Sequence, residues 1–187
     1  AGNILGGDQS GHIEAVGFEL YAELLQEAVR EMQGKPVETD LEPEVKIPVA
    51  AFLPEDYVVD ISQRLTLYKR ISLARDEAAV YDLMSELVDR YGPLPPHVEH
   101  LRDVVLIKLT LKQIRARQVE AGPKAALVEL LQDTRLKPAA VMELVRNAKG
   151  AVELRPNMVL VRKFTPVEGK ALLASVLHFV RELAACT

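Results

Sequence analysis

The stretch Ala78–Pro96, AAVYDLMSELVDRYGPLPP, decides how this chain is read. Val80, Leu83, Met84, Leu87 and Tyr91 recur at helical spacing and form one apolar stripe. Asp82, Glu86 and Asp89 follow at i, i+4 and i+7 on another face, with Arg90 beside them. Asp76 suits the N-cap, because its carboxylate can accept from the free amides of the first turn. Gly92 suits the left-handed position past the end, and Pro93 forbids continuation. The charged ridge has two readings: a solvated face, or a docking ridge for a basic partner surface.

The composition sets the frame for this helix. Hydrophobic residues make up 49% of 187 and charged residues 27%, the balance of a folded chain able to bury a core. Tryptophan is absent and aromatics are 5%, so the core is mainly aliphatic. The net charge of −4 gives no global electrostatic reason to bind nucleic acid. The single cysteine, Cys186, cannot form an internal disulfide, which fits a reducing, cytoplasmic setting. No apolar run reaches the ~18 residues of a membrane span, and no basic-then-apolar leader is read, so neither membrane nor export is expected.

Upstream, AGNILGGDQSGH is rich in glycine and reads as a mobile loop, with no Gly-Lys-Ser/Thr of a phosphate-binding loop after it. It looks like the inside of a motif, so the chain is expected to be a piece of a longer protein. A helix is expected over 13–33, ended by Gly34 and Pro36. Residues 35–44, KPVETDLEPE, read as a linker. Three parts follow: 1–34, the linker 35–44, and a main domain 45–187. Within the last, VKIPV over 45–49 is an edge-strand candidate, with Pro48 as the reason. Asp60 caps a helix from Ile61 to about Ala74, with Gln63 completing a capping box. Leu65, Tyr68 and Ile71 are its expected inward set, with Arg64, Lys69 and Arg70 outside.

Downstream, Pro95 and Pro96 open a long helix expected to run to about Val119. Leu101, Val104, Val105, Ile107, Leu111 and Ile114 give it a wide apolar face. Then come a strand over 125–131, a helix over 138–148, strands over 151–154 and 158–164 joined at Pro156-Asn157, and a last helix to about Ala184. Thr165, Pro166 and Glu168 spell the start of that helix, and Leu173, Val176, Leu177, Val180 and Ala184 its inward side. The fold class expected is α+β: a helical hairpin region with a small mixed or antiparallel sheet and a C-terminal helix.

Little in the sequence points to chemistry. His97 and His100 lie three apart and could share a face, but a metal site needs further ligands. A small metal-dependent hydrolase built on them is the rival from another class. His178 falls near the inward face of the last helix, and Cys186 is expected to fray. Lys108, Lys112 and Arg115 form a basic stripe that could touch duplex DNA as a minor binding module. It lacks the interleaved aromatics of a nucleic-acid surface.

GNILGGDQSGHIEAVGFELY, RLTLYKRIS and SELVDRYGPLP together resemble the bacterial transcription-repair coupling factors, a RecG-like family of DNA translocases. The resemblance covers nearly the whole chain. It implies that residues 1–34 close the translocation motif, with Gln9 at the position of its glutamine and its arginine upstream of Ala1. With no motor in these residues, Gln9 has nothing to couple and the loop is expected to be a disordered tail. It implies that residues 45–187 are a C-terminal regulatory domain that docks on a UvrB-like N-terminal module of the same protein and hides the surface that recruits UvrA. Glu86, Asp89 and Arg90 stand at the docking positions. The parent would use ATP and magnesium, bind RNA polymerase and duplex DNA, and act in transcription-coupled nucleotide excision repair. This chain would itself hold no cofactor and no catalytic residue.

Overall fold

The computed structural model describes residues 41–187. The expected loop and helix over 1–34, Gln9 included, and most of the linker lie outside the described residues. The described residues fall into two units, 50–102 and 41–49 with 103–187.

In residues 50–102, α1 (Ile61–Ser72) and α2 (Glu77–Tyr91) are followed by the first turns of α3 (Pro96–Ile114). The α2 reading holds except at Tyr91, which is half-buried rather than buried with the rest of the stripe. Val80, Leu83, Met84 and Leu87 are buried, the Asp76 carboxylate accepts from the Ala79 amide at 2.8 Å, and Gly92 leaves the helix at φ 90°. In α1 the Asp60 cap holds too, accepting from the Gln63 amide at 2.8 Å. The other half of the expected capping box does not form, because the Gln63 side chain reaches across to Tyr91 and Arg90 of α2. The inward set is corrected as well: Leu67 joins Tyr68 and Ile71, and Leu65 is exposed. Both leucines fit a stripe with Tyr68 and Ile71. The neighbouring helix decides between them, because Gln63, Leu67 and Arg70 at i, i+4 and i+7 are the side turned to α2. Arg64 does not face out. Its guanidinium donates to the Val58 carbonyl at 2.7 Å and pairs with Glu55 at 3.1 Å.

The other unit holds a five-stranded mixed sheet. Its strands are β1 (Glu44–Lys46), β2 (Ala116–Gly122), β3 (Ala125–Leu130), β4 (Val152–Arg155) and β5 (Val159–Lys163), in spatial order β1-β2-β3-β5-β4. β1 runs parallel to β2 at one edge and the other pairs are antiparallel; the edge strand expected over 45–49 ends at Lys46, before Pro48. Two helices complete it: α4 (Pro138–Asn147) and α5 (Gly169–Ala184). The α+β class expected from the sequence is therefore observed. The turn at Pro156-Asn157 forms as read, with Asn157 and Met158 both at φ 62°.

β2 is the element the sequence hid. α3 stops at Ile114, not near Val119, and Arg115 turns the chain at φ 55°. The Ile114 carbonyl, which a longer helix would offer to its own next turn, is taken by the Thr134 hydroxyl at 2.7 Å and the Arg135 amide at 3.2 Å. The Arg115 carbonyl accepts from the Leu131 amide at 3.1 Å. Ala, Arg, Gln and Glu in ARQVEAG are better helix than strand formers, so tertiary hydrogen bonds override local preference here. The register shift between Ala116 and Gln118 is a bulge that also blurs the strand's alternation.

One face of the sheet carries Val119, Ala121, Ala126, Val128 and Leu160, all buried. Arg162 of β5 pairs with Glu182 at 2.8 Å and lies 6.0 Å from the Phe179 ring, which lays α5 against that face. Leu172, Leu173, Val176, Phe179, Val180 and Leu183 of α5 are buried, whereas Ala184 is half-buried. The expected start of α5 is shifted. Phe164 and Val167 donate to the Lys124 and Pro123 carbonyls at 2.7 and 2.9 Å, so this segment lines the β2–β3 turn. Glu168 takes the cap position without a side-chain bond. His178 points outward, its side chain 70% exposed and 3.6 Å from Glu182. Cys186 is buried, not frayed: its carbonyl accepts from the Lys137 amide at 2.8 Å, and burial raises the thiol pKa.

Phe179 is fully buried, so Phe179→Ala should cost about 3–5 kcal/mol of folding stability, the usual loss for a core aromatic. Urea unfolding followed by circular dichroism measures it. A loss under about 1 kcal/mol would be that of a surface site.

Candidate docking site

Glu86, Asp89 and Arg90 lie on the outer side of α2, and the structure places them unequally. Glu86 is half-buried, and Asp89 and Arg90 are exposed. Glu86 is already gripped. Both terminal nitrogens of Arg70 donate to its two oxygens, at 2.8 and 2.6 Å, in the bidentate fork that matches a guanidinium to a carboxylate. Arg90, one turn along the helix, adds a third bond at 3.1 Å. Asp89 has no ion pair among the described residues. Its carboxylate is open to solvent, as is that of Asp82.

Arg70 was expected only as an outward cation. The short connection between α1 and α2 turns the chain back and brings it opposite Glu86, sixteen residues away in sequence. Gln63 and Tyr91, expected only in a capping box and an apolar stripe, complete the arrangement. The Tyr91 hydroxyl donates to the Gln63 side-chain oxygen, which also lies 3.4 Å from Arg90. The Arg90 guanidinium rests 5.2 Å from the Tyr91 ring centre, within cation–π range. The signal available in the sequence was opposite charge at facing positions of two helices joined by a short turn.

Hydrogen bonds from Arg70 hold the Glu86 carboxyl at a pKa of about 2, from an ordinary 4.5; burial opposes the shift, and Arg90 adds to it. The sign follows. A depressed carboxylate supports the fold fully above its ordinary value and gives that support up as pH falls toward 2. Glu86 therefore keeps its charge throughout the neutral and mildly acidic range.

The rival sites look different. His97 stacks on Phe52 with ring centres 4.5 Å apart, and the His100 Nδ1 donates to the Ala50 carbonyl at 2.9 Å. Among the described residues no group of three or more potential ligands could hold a metal. Lys108 and Lys112 both bind the Glu42 carboxylate, and Arg115 pairs with Asp133 at 2.5 Å. Burial raises the Glu42 pKa, but the bonds from Lys112 and Lys108 outweigh it and the net shift is downward. The basic stripe is thus spent on internal carboxylates. No helix among the described residues is long and apolar enough to cross a membrane.

The TRCF domain family model matches residues 47–141. The chain belongs to the transcription-repair-coupling factor family. It is 42% identical over 187 residues to the transcription-repair-coupling factor of Myxococcus xanthus, covering 100% of this chain and 16% of that protein. It is 31% identical over 188 residues to that of Escherichia coli, covering 98% of this chain and 16% of the relative. The chain thus spans about a sixth of the length of these family members. A solved C-terminal domain of a transcription-repair coupling factor shares its fold at a TM-score of 0.66 and 22% identity, over 78% of this chain and 93% of that one. The likeness carries the C-terminal-domain fold across to this chain.

The Glu86 side-chain carboxyl should stay ionised well below pH 4, titrating near 2, and Arg70→Gln should move its midpoint up toward 4.5. Carbon-detected NMR of the carboxyl resonance reads both. An unchanged midpoint in the variant would mean that Arg70 does not grip it.

Proposed function

We propose that this chain is a regulatory interaction domain, docking through the α2 ridge on the UvrB-like N-terminal module of its own protein. In the docked state it masks the surface that recruits UvrA and restrains the motor. The whole protein, on this reading, is a cytoplasmic, ATP-dependent DNA translocase. It displaces stalled RNA polymerase from duplex DNA in transcription-coupled nucleotide excision repair. ATP and magnesium belong to that motor, and no step of its chemistry is assigned to the residues described.

The observation that carries the proposal is the division of labour on α2. Arg70 fixes Glu86, Glu86 fixes Arg90, and Asp89 remains open. Arg90 has five donors in a planar fork and spends few of them on Glu86 and Gln63, so it can still grip a partner carboxylate. A rigid helix thus offers one fixed cation and one free anion side by side, a pattern that selects a complementary surface. Family membership and the C-terminal-domain fold support it further.

A closed state of this kind needs only a few kcal/mol of advantage over the open one to act as a switch, since about 5.5 kcal/mol spans 1:99 to 99:1. Contacts at solvent-exposed charges supply increments of the right size.

Titration of the chain with the separately expressed N-terminal module tests the reading. Asp89→Lys should leave the unfolding midpoint unchanged and weaken docking about tenfold or more, equivalent to about 1.4 kcal/mol. Glu86→Lys should weaken docking and also lower stability, because it sets three cations together. Unchanged affinity in both variants would remove the ridge from the interface.

A further inference from the structure

Residues 50–102 hold a second surface that the docking ridge does not use: an open pocket of about 520 Å³. Its floor is three rings and two prolines: Phe52, Tyr57 and His97, with Pro54 and Pro95. All five are half-buried, so the rings are held from behind and remain accessible in front. Glu55 and Asp56 form its rim, and both are exposed.

The rings are fixed in place. The Phe52 amide donates to the His97 carbonyl at 3.3 Å, and the two rings stack with centres 4.5 Å apart and planes tilted by 35°. The Tyr57 hydroxyl donates to the Gly92 carbonyl at 2.8 Å, and its ring lies 5.7 Å from that of Tyr91. The walls are set before anything binds, so a ligand would not have to order them. The volume falls in the range of about 300–1,000 Å³ typical of ligand sites.

The chemistry of floor and rim selects the occupant. Aromatic and proline walls favour stacked pyrrolidine rings, and a polyproline II strand presents them every third residue without having to fold first. The rim is anionic. Arg64 engages one oxygen of Glu55 at 3.1 Å, while Asp56 has no ion pair among the described residues. A cation on the incoming strand is matched by Asp56, and phosphate or nucleic acid is repelled. We infer that this pocket binds a proline-rich segment of a partner protein carrying an arginine or lysine beside its prolines. This site shares no residue with the docking ridge.

The test is a titration of the 187-residue chain with the synthetic peptide RPLPPLP, followed by backbone and ring NMR. The expected result is saturable shifts at Phe52, Tyr57 and His97, and affinity about tenfold weaker for EPLPPLP, a difference of about 1.4 kcal/mol. Asp56→Asn, an exposed change that leaves the rings alone, should shrink the preference for the arginine peptide while leaving the fold intact. No saturable shift at these rings at millimolar peptide overturns the inference, as does equal binding of the two peptides. Loss of docking to the N-terminal module in Asp89→Lys would not affect this result, so the two readings fail separately.

Discussion

Arg70 and Glu86 hold each other across the α1–α2 hairpin, and much of the candidate surface follows from that one contact. The hairpin connection is short, so the helices run antiparallel and their facing positions are determined. Gln63, Leu67 and Arg70 then turn toward α2 together, which leaves Leu65 outside. The exposure of one leucine and the burial of another are consequences of how the two helices meet. The energy of the ion pair itself is modest, because both side chains keep access to water. Its importance is geometric. A forked guanidinium fixes both oxygens of the carboxylate, and that carboxylate in turn fixes Arg90.

A second constraint governs residues 41–49 with 103–187. α3 ends because the Ile114 carbonyl is claimed by Thr134 and Arg135, both far along the chain. That stop releases Ala116–Gly122 to become the second strand of the sheet, with β1 on one side and β3 on the other. Two lysines of α3 draw in Glu42, close in sequence to β1. Cations that read as a binding stripe are thus a fastening for the edge of the sheet. Lys and Arg on a helix face are ambiguous until the carboxylates opposite are known.

The parts legible in the sequence are those where several local signals agree. α2 had a stripe, a cap and a stop, and all three hold apart from half-buried Tyr91. The β4–β5 turn and the proline start of α4 were equally local. β2 was illegible because its residues favour helix and its bulge breaks the alternation that marks a strand. The start of α5 misled for a related reason: Thr165, Pro166 and Glu168 form a sound capping pattern, yet backbone bonds to the β2–β3 turn hold that segment outside the helix. Of the ridge, sequence spacing placed Glu86, Asp89 and Arg90 on one helix side. It did not distinguish the anchored carboxylate from the open one, because Arg70 lies on another helix. Cys186 and His178 exchanged expected places, one buried and the other exposed, since helix spacing near a chain end says little about what packs there.

The inequality between Glu86 and Asp89 also bears on how a charged helix could serve a reversible contact. If every charge on the ridge were free, docking would have to order several long side chains at once, at a cost of about 0.5–1.5 kcal/mol each. Here Arg90 is ordered in advance by Glu86 and by the Tyr91 ring. What remains is the desolvation of Asp89 and Arg90, which a complementary surface offsets and a mismatched one does not. Charges of this kind contribute selectivity more than tightness. Tightness needs apolar area, and α2 exposes Tyr81 and Val88 seven residues apart, close to two turns along one side. In the proposed docking, a specific charged pair beside a small apolar contact gives a latch that holds its own partner and still releases.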